Sequence, residues 1–162
     1  MIKHLCRNLK QLRESYELTQ ETLSSLLGIT PQLYCFYETG RRTLSLRVLY
    51  ALSNLYHLAP YILVQQEILL PERYAFYPVP QMPQPRGISV DFNALYTNLR
   101  HNLRALRESH YLSQVALARR LFITPGAYSH YETGRRKPSL EVLCEIAAVY
   151  GVTLDELLEE WL

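Results

Sequence analysis

The chain has 162 residues, of which 48% are hydrophobic and 20% are charged, and its formal net charge is +2. No stretch approaches the ~20 apolar residues of a membrane-spanning helix, and Met1–Lys10 lacks the apolar core of a signal peptide. The three cysteines are odd in number and lack the spacing of a zinc site, so we expect neither a metal site nor a disulfide framework. We therefore predict a soluble, cytoplasmic protein without a cofactor.

An internal repeat organises the chain. Residues 12–43 align with residues 106–137 without a gap and are identical at 18 of 32 positions, including Tyr37–Arg42 and Tyr131–Arg136. A repeat of this length indicates one structural unit built twice. Because helix formers dominate both copies and no long strand-like alternation occurs, we predict an all-α fold. The predicted domains are a first copy at 1–66, a Pro-rich linker at 67–90 and a second copy at 91–162.

The charge is unevenly distributed along the chain. Residues 1–64 and residues 91–154 each carry a net charge of +3, whereas the last eight residues carry −4. Each copy is therefore mildly basic, which suits a polyanionic partner but does not by itself specify one.

Five short helices are predicted in each copy. In the first copy, Thr19, Thr30 and Ser45 have side chains that cap helix N-termini. The fifth helix starts at Ala59-Pro60 without such a cap. Gly28 and Gly40 are placed where a left-handed residue ends a helix or forms a turn.

The region between the copies has five prolines within residues 71–85, which disfavour a helix and favour extended polyproline II segments. About 25 residues in this conformation would reach roughly 75 Å.

In the second copy, a long amphipathic helix is predicted over Phe92–Arg107. Helix caps are predicted at Ser113, Thr124, Ser139 and Thr153, and the last begins a capping box.

The second and third helices of each copy, with the tight turn between them, point to a function. Two short helices joined by a three-residue turn make a helix-turn-helix. Their spacing predicts an interior face formed by Leu23, Leu27, Ile29, Tyr34 and Tyr37, and by Leu117, Leu121, Ile123, Tyr128 and Tyr131. Phe122 stands where the first copy has Gly28. We expect either a different turn there or ring packing that offsets the strain of a left-handed phenylalanine.

These residues resemble the Cro and lambda-repressor-like family of helix-turn-helix proteins, also called the xenobiotic-response-element family. The resemblance rests on Leu18–Gln20, Gly28–Thr30 and Tyr37–Arg42, and on the matching positions of the second copy, where Lys137-Pro138-Ser139 follows. It covers nearly the whole chain except the linker. It implies two tandem five-helix lambda-repressor-like domains that bind double-stranded DNA through their third helices.

The resemblance also implies individual roles. Base edges would be read by Thr30, Pro31, Gln32, Phe36, Thr124, Pro125, Gly126, Ser129 and His130. Phosphates would be contacted by Gln20, Arg41, Arg42, Gln114, Arg135, Arg136 and Lys137. Glu38 and Glu132 are expected to fix the local turn or to pair with a nearby arginine. Because the first copy's reading face includes the apolar Leu33, Cys35 and Phe36, we predict that the second copy is the surer DNA binder. The first copy would either read an apolar, T-rich half-site or serve as an interaction surface.

We therefore predict a repressor-like regulator of transcription that binds DNA sequence-specifically. An enzyme is not expected, because the sequence has no phosphate-binding loop, metal-spaced cluster or nucleophile beside an obvious base. Either one chain acts as a pseudo-dimer on half-sites ~34 Å apart, or the chain works within a homodimer. The alternative is a protein–protein interaction module, antitoxin-like or regulatory, with one degenerate DNA-binding copy. RNA binding is a third interpretation.

Overall fold

The computed structural model describes residues 4–68 and 90–159. These residues form ten α-helices and no strand, with five helices in each of two compact units. The first copy contains α1 (Leu5–Ser15), α2 (Gln20–Leu26), α3 (Pro31–Glu38), α4 (Leu46–Tyr56) and α5 (Pro60–Gln65). The second copy contains α6 (Phe92–Ser109), α7 (Gln114–Arg120), α8 (Pro125–Glu132), α9 (Leu140–Tyr150) and α10 (Leu154–Leu158).

The predicted all-α fold with two helix-turn-helix copies is confirmed. The prolines of the predicted linker fall within residues 69–89, which lie outside the described residues. The exact domain boundaries stay a prediction.

Side-chain caps fix where most of the helices begin. Thr30 Oγ1 accepts a hydrogen bond from the Leu33 N–H, and Thr124 Oγ1 accepts one from the Ala127 N–H, both at 3.2 Å. Equivalent caps occur at Thr19, Ser45, Ser113, Ser139 and Thr153, the last with the predicted capping box. Such a cap contributes ~1 kcal/mol, so the local sequence determines the start of α3 and α8.

Left-handed residues recur at four equivalent places in the two copies. The pairs are Glu17 and Tyr111, Gly28 and Phe122, Gly40 and Gly134, and His57 and Gly151. All eight have φ between 53° and 73°. The same chain path is therefore kept even where one copy has glycine and the other does not.

Both alternatives expected for Phe122 are wrong. Its φ of 55° is close to the 65° of Gly28, and its side chain is 96% exposed. The turn is held by backbone bonds from the Phe122 N–H to Arg119 and from the Ile123 N–H to Ala118, at 3.2 and 3.0 Å. These bonds maintain the left-handed conformation, and no packing of the ring offsets its strain.

The core of each copy is built mainly from leucine, with one central tyrosine. Tyr34 and Tyr128 have no solvent exposure. Their hydroxyls donate to the carbonyls of Leu9 and Leu103, at 3.5 and 3.3 Å. Burial raises the pKa of both phenols, so they remain protonated donors. The predicted interior position of these tyrosines is confirmed.

A buried asparagine joins the first helix of each copy to the last. Asn8 Nδ2 donates to the Leu63 carbonyl at 3.0 Å, and Asn102 Nδ2 donates to the Leu157 carbonyl at 3.1 Å. Both asparagines are at most 3% exposed. They satisfy carbonyl groups at a helix C-terminus that lack partners within the helix.

Candidate nucleic-acid interface

The N-terminal turn of α3 presents polar atoms to solvent in the first copy. Thr30, Pro31 and Gln32 are exposed, and Phe36 is half-buried. Tyr34 and Tyr37 lie on the buried face of the same helix. The four residues predicted to read bases therefore retain accessible surface, and the tyrosines anchor the helix from behind.

The equivalent surface of α8 in the second copy has smaller side chains. Thr124, Pro125, Gly126 and His130 are exposed, and Ser129 is half-buried. A Cβ built on Gly126 would have no neighbour within 4 Å. The glycine is therefore not required by packing in the described fold, and it leaves open space on this face.

A nearly buried carboxylate links three helices of the first copy. Glu38 at the end of α3 accepts from Arg13 Nε at 2.6 Å and from Gln20 Nε2 at 2.6 Å. Arg13 also donates to the Leu18 carbonyl at 2.8 Å. The side chains of Arg13 and Glu38 are 13% and 5% exposed. The hydrogen bond to Glu38 raises the pKa of the Arg13 guanidinium, which therefore stays charged.

The second copy repeats this arrangement. Glu132 accepts from Arg107 Nε at 2.6 Å and from Gln114 Nε2 at 2.7 Å, and Arg107 also donates to the Leu112 carbonyl at 3.1 Å. The expected pairing of both glutamates with a nearby arginine is confirmed. We call each set of Arg, Glu and Gln the carboxylate bracket. It links the third helix to the first two through hydrogen bonds.

Gln20 and Gln114, which were both predicted to contact phosphate, also belong to the carboxylate brackets. Each amide nitrogen donates one hydrogen to the glutamate. An amide nitrogen carries two hydrogens, so the second stays compatible with a phosphate contact. Sequence reasoning did not assign a role to Arg13 and Arg107, although both lie within the repeated Leu-Arg-Glu-Ser.

Exposed cations follow the third helix in each copy. Arg41, Arg42, Arg135, Arg136 and Lys137 are all exposed. Among the described residues, none of the five forms an ion pair with a carboxylate. The backbone of this basic turn is fixed, since the Arg42 and Arg136 N–H groups donate to the carbonyls of Phe36 and His130 at 3.2 and 3.1 Å. Each basic turn therefore presents positive charge that no carboxylate among the described residues neutralises. It does so at the C-terminal end of a third helix whose N-terminal turn is exposed.

The large exposed hydrophobic side chains of the described residues lie on the second copy. Tyr111 and Phe122 are each 96% exposed, and Val115 is 44% exposed. The first copy has Glu17, Gly28 and Glu21 at these places. The apolar residues noted on the first copy's α3, Leu33 and Cys35, are half-buried instead.

The described residues contain neither a metal-binding cluster nor a membrane-spanning helix. No group of three His, Cys, Asp or Glu side chains in that part of the chain could hold a metal ion. Within the same residues, no helix has the length and apolarity needed to cross a membrane.

Comparison with known proteins gives consistent matches. A family model described as helix-turn-helix matches residues 9–63 and again residues 103–157. The chain is 38% identical over 56 residues to the uncharacterized HTH-type transcriptional regulator YobD of Bacillus subtilis (strain 168), which covers 35% of this chain and 50% of that protein. It is 40% identical over 58 residues to the uncharacterized HTH-type transcriptional regulator YqaE of the same organism, covering 36% and 50%. The chain thus spans about half the length of these curated relatives. No solved structure matches significantly.

Proposed function

Because the chain belongs to the Cro and lambda-repressor-like helix-turn-helix family, we propose that it is a repressor-like transcriptional regulator that binds double-stranded DNA. This is a family of regulators and not of enzymes. One observation carries the proposal: in each copy, the third helix has an exposed N-terminal turn and is followed, beyond its C-terminus, by exposed cations that have no carboxylate partner among the described residues. Such a combination supports DNA binding because phosphate contacts orient a protein and base contacts select the sequence.

The base-reading residues are proposed to act differently in the two copies. Gln32 is exposed and has the donor and acceptor that pair with the adenine edge. Phe36 is half-buried, which leaves part of its ring to contact a thymine methyl group. His130 offers a ring nitrogen to a base edge, whereas Gly126 permits close approach without selecting a base. The two copies would therefore prefer different half-sites.

The basic turns are proposed to hold the DNA backbone. Arginine forks match phosphate oxygens well, and Arg41, Arg42, Arg135 and Arg136 have no competing carboxylate among the described residues. Gln20 and Gln114 are proposed to add one amide hydrogen each. The carboxylate brackets support this role by fixing the amide position before DNA binds.

The two copies are proposed to act together as a pseudo-dimer on one DNA site. Repressors of this kind cover half-sites about one turn apart, ~34 Å, and here one chain carries both recognition helices. A homodimer with four recognition helices is the alternative arrangement. For the pseudo-dimer, copies that read different half-sites predict a site that is not a perfect palindrome, whereas a two-fold symmetric homodimer would select a palindromic one.

Selection of bound duplexes from a random pool by the full chain tests the pseudo-dimer. The expected product is a two-part sequence with unlike halves. Mass measurement of the complex separates the arrangements, since a pseudo-dimer binds one site as one chain and a homodimer binds it as two. A symmetric selected sequence would contradict the pseudo-dimer.

Paired arginine substitutions test the phosphate contacts and the predicted asymmetry. Replacing Arg135 and Arg136 with Ala should lower the salt dependence of binding by about 2 in slope if both contact phosphate. Replacing Arg41 and Arg42 with Ala should weaken binding less. Arg119 and Arg120 provide a matched control, because they are exposed, adjacent and in the second copy, but lie at the end of α7. Equal losses in all three double variants would indicate a general charge effect and contradict the assigned contacts.

A second candidate function is protein binding by the second copy. It is favoured by Tyr111 and Phe122, two large hydrophobic side chains that are almost fully exposed, since exposed apolar surface can mark a protein contact. Replacing both with the first copy's residues, Tyr111→Glu and Phe122→Gly, should leave duplex affinity unchanged if the two functions are separate. A loss of duplex affinity as large as that of the Arg135 and Arg136 variant would count against this separation.

A further inference from the structure

The second copy contains a small cavity that the proposed base contacts do not use. It has a volume of about 200 Å³ and lies between the N-terminal half of α6 and the turn that follows α8. Three cations line it: Arg100 from α6, and Arg136 and Lys137 from the basic turn. None of the described residues that line it carries a carboxylate. Such a cavity is smaller than the ~300–1,000 Å³ of sites for drug-sized ligands, which favours a small anion.

Arg100 is held in this cavity by specific contacts. Its Nη2 donates to Thr97 Oγ1 at 3.2 Å, and its side chain is half-buried. It passes directly beneath Gly134, because a Cβ built there would lie 2.6 Å from Arg100 Cδ and 2.9 Å from Nη1. The glycine thus leaves the space through which the guanidinium reaches the basic turn.

Lys137 is positioned from the opposite side. Its Nζ lies over the ring of Tyr96, 4.0 Å from the ring centroid. This cation–π contact orients the ammonium group without neutralising it. Among the described residues, none of Arg100, Arg136 and Lys137 forms an ion pair with a carboxylate. Three like charges around one cavity repel each other, and an anion between them would remove that repulsion.

The first copy lacks this arrangement. The residues equivalent to Arg100 and Lys137 are Cys6 and Thr43, so only Arg42 keeps the charge of its counterpart, Arg136. In addition, Tyr96 and Thr97 lie in the N-terminal half of α6, and their equivalents, Ile2 and Lys3, lie outside the described residues. The cavity is therefore a feature added to the shared fold and not a consequence of it.

We propose that this cavity binds one phosphate group through Arg100, Arg136 and Lys137. Two arginines and one lysine that line the same cavity offer donors suited to the tetrahedral phosphate oxygens. The phosphate group belongs either to the DNA backbone or to a free phosphate ion. Only the DNA-backbone source rests on the proposed function. Arg100 thereby becomes a phosphate contact that belongs to the second copy only.

Two measurements on the full chain test this proposal and distinguish the sources. The first is the salt dependence of duplex binding for Arg100→Met, which keeps the unbranched stem of the side chain but removes its charge. Arg104→Met is the control, since Arg104 lies one turn along α6, is 70% exposed and pairs with Glu108. Loss of one phosphate contact should lower the slope by about 0.9 in Arg100→Met and leave it unchanged in Arg104→Met.

The second measurement follows the Arg100 Nε–Hε resonance by NMR during titration with inorganic phosphate, with chloride at equal ionic strength as the reference. A saturable shift with phosphate alone supports a phosphate site, and an unchanged DNA slope would then identify free phosphate as the source. No saturable shift, together with equal DNA slopes for the two methionine variants, would overturn the proposal. A chain that bound no duplex would refute the proposed function, and the phosphate titration would then decide this inference by itself.

Discussion

Phe122 provides a direct measure of how much strain the second copy tolerates. Its φ is 55° and its ring is 96% exposed, so the ring contributes almost no burial to stability. A left-handed conformation costs a residue with a Cβ roughly 1–2 kcal/mol. Glycine avoids this cost but loses roughly 0.5–1 kcal/mol through the greater freedom of the unfolded chain. We therefore expect Phe122→Gly to stabilise the second copy by roughly 0.5–1 kcal/mol.

Two further substitutions separate strain from the loss of the ring. Phe122→Ala removes the ring but keeps a left-handed Cβ, so the free energy of unfolding should change little. Gly28→Ala makes the reverse change at the equivalent turn of the first copy, where φ is 65° and a Cβ would meet no atom within 4 Å. It should destabilise that copy by roughly 0.5–1 kcal/mol, because the strain of a left-handed Cβ exceeds the entropy that alanine saves in the unfolded chain.

Native-state hydrogen exchange of the full chain measures these effects copy by copy. Buried amides such as those of Leu117 and Leu143 report on the second copy, and Leu23 and Leu49 report on the first as an internal reference. A gain of 1 kcal/mol corresponds to a rise of roughly 4–8 °C in melting temperature for a domain of this size. A loss of ~3–5 kcal/mol in Phe122→Ala, as for a packed core phenylalanine, would refute the reasoning. Equal stability of the glycine and alanine variants would also refute it.

Two further predictions concern carboxylates with defined partners. Glu132→Ala leaves Arg107, which is 13% exposed, without its partner, so we expect a loss of about 3 kcal/mol in urea unfolding; a loss below ~1 kcal/mol would be typical of a surface ion pair instead. The Glu156 carboxylate accepts from the Thr153 N–H at 2.6 Å, and this bond lowers the pKa of Glu156 below its ordinary 4.5. Because the folded pKa is the lower one, the stabilisation is complete above pH 4.5 and is lost as the pH falls through the folded pKa. The stability advantage of the wild type over Glu156→Gln should therefore vanish in acid, and an advantage that persists at pH 2 would contradict it.

The sequence predicted the features that depend on neighbouring residues. The caps at Thr30 and Thr124 follow from side chains that bond within three residues of themselves, and the left-handed Gly28 follows from the absence of a Cβ. The carboxylate brackets were only partly predictable, because Arg13 and Glu38 are 25 positions apart and meet through tertiary packing. Phe122 was mispredicted because the hydrogen bonds of the turn outweigh the preference of one side chain.

The cavity beside Lys137 was beyond sequence reasoning for a different reason. It depends on the length of α6 and on the passage of Arg100 beneath Gly134. Neither forms a sequence motif, since an arginine such as Arg100 on a helix is usually interpreted as a solvent-exposed surface residue. The signal that was available is the difference between the copies, where Cys6 and Thr43 replace two of the three cations.

The residues that anchor α3 and α8 are identical in the two copies, whereas the residues proposed to read bases differ, and this difference allows a test of the proposed DNA recognition. We call the identical anchoring residues the frame. The frame of α3 and α8 is the same, since both tyrosines, the capping threonine and the glutamate are identical. Four substitutions, Gln32→Gly, Leu33→Ala, Cys35→Ser and Phe36→His, convert the sequence of α3 into that of α8. Both copies would then carry the same recognition-helix sequence.

Because the frame is kept, we expect this variant to remain helical, with a modest loss from the half-buried Leu33 and Phe36. Selection from a random duplex pool should now give two like half-sites in place of two unlike ones. Circular dichroism before selection confirms that the first copy is folded. An unchanged selected sequence would mean that bases are read outside α3. A change confined to affinity, with the same sequence preference, would assign these four positions to backbone contact instead.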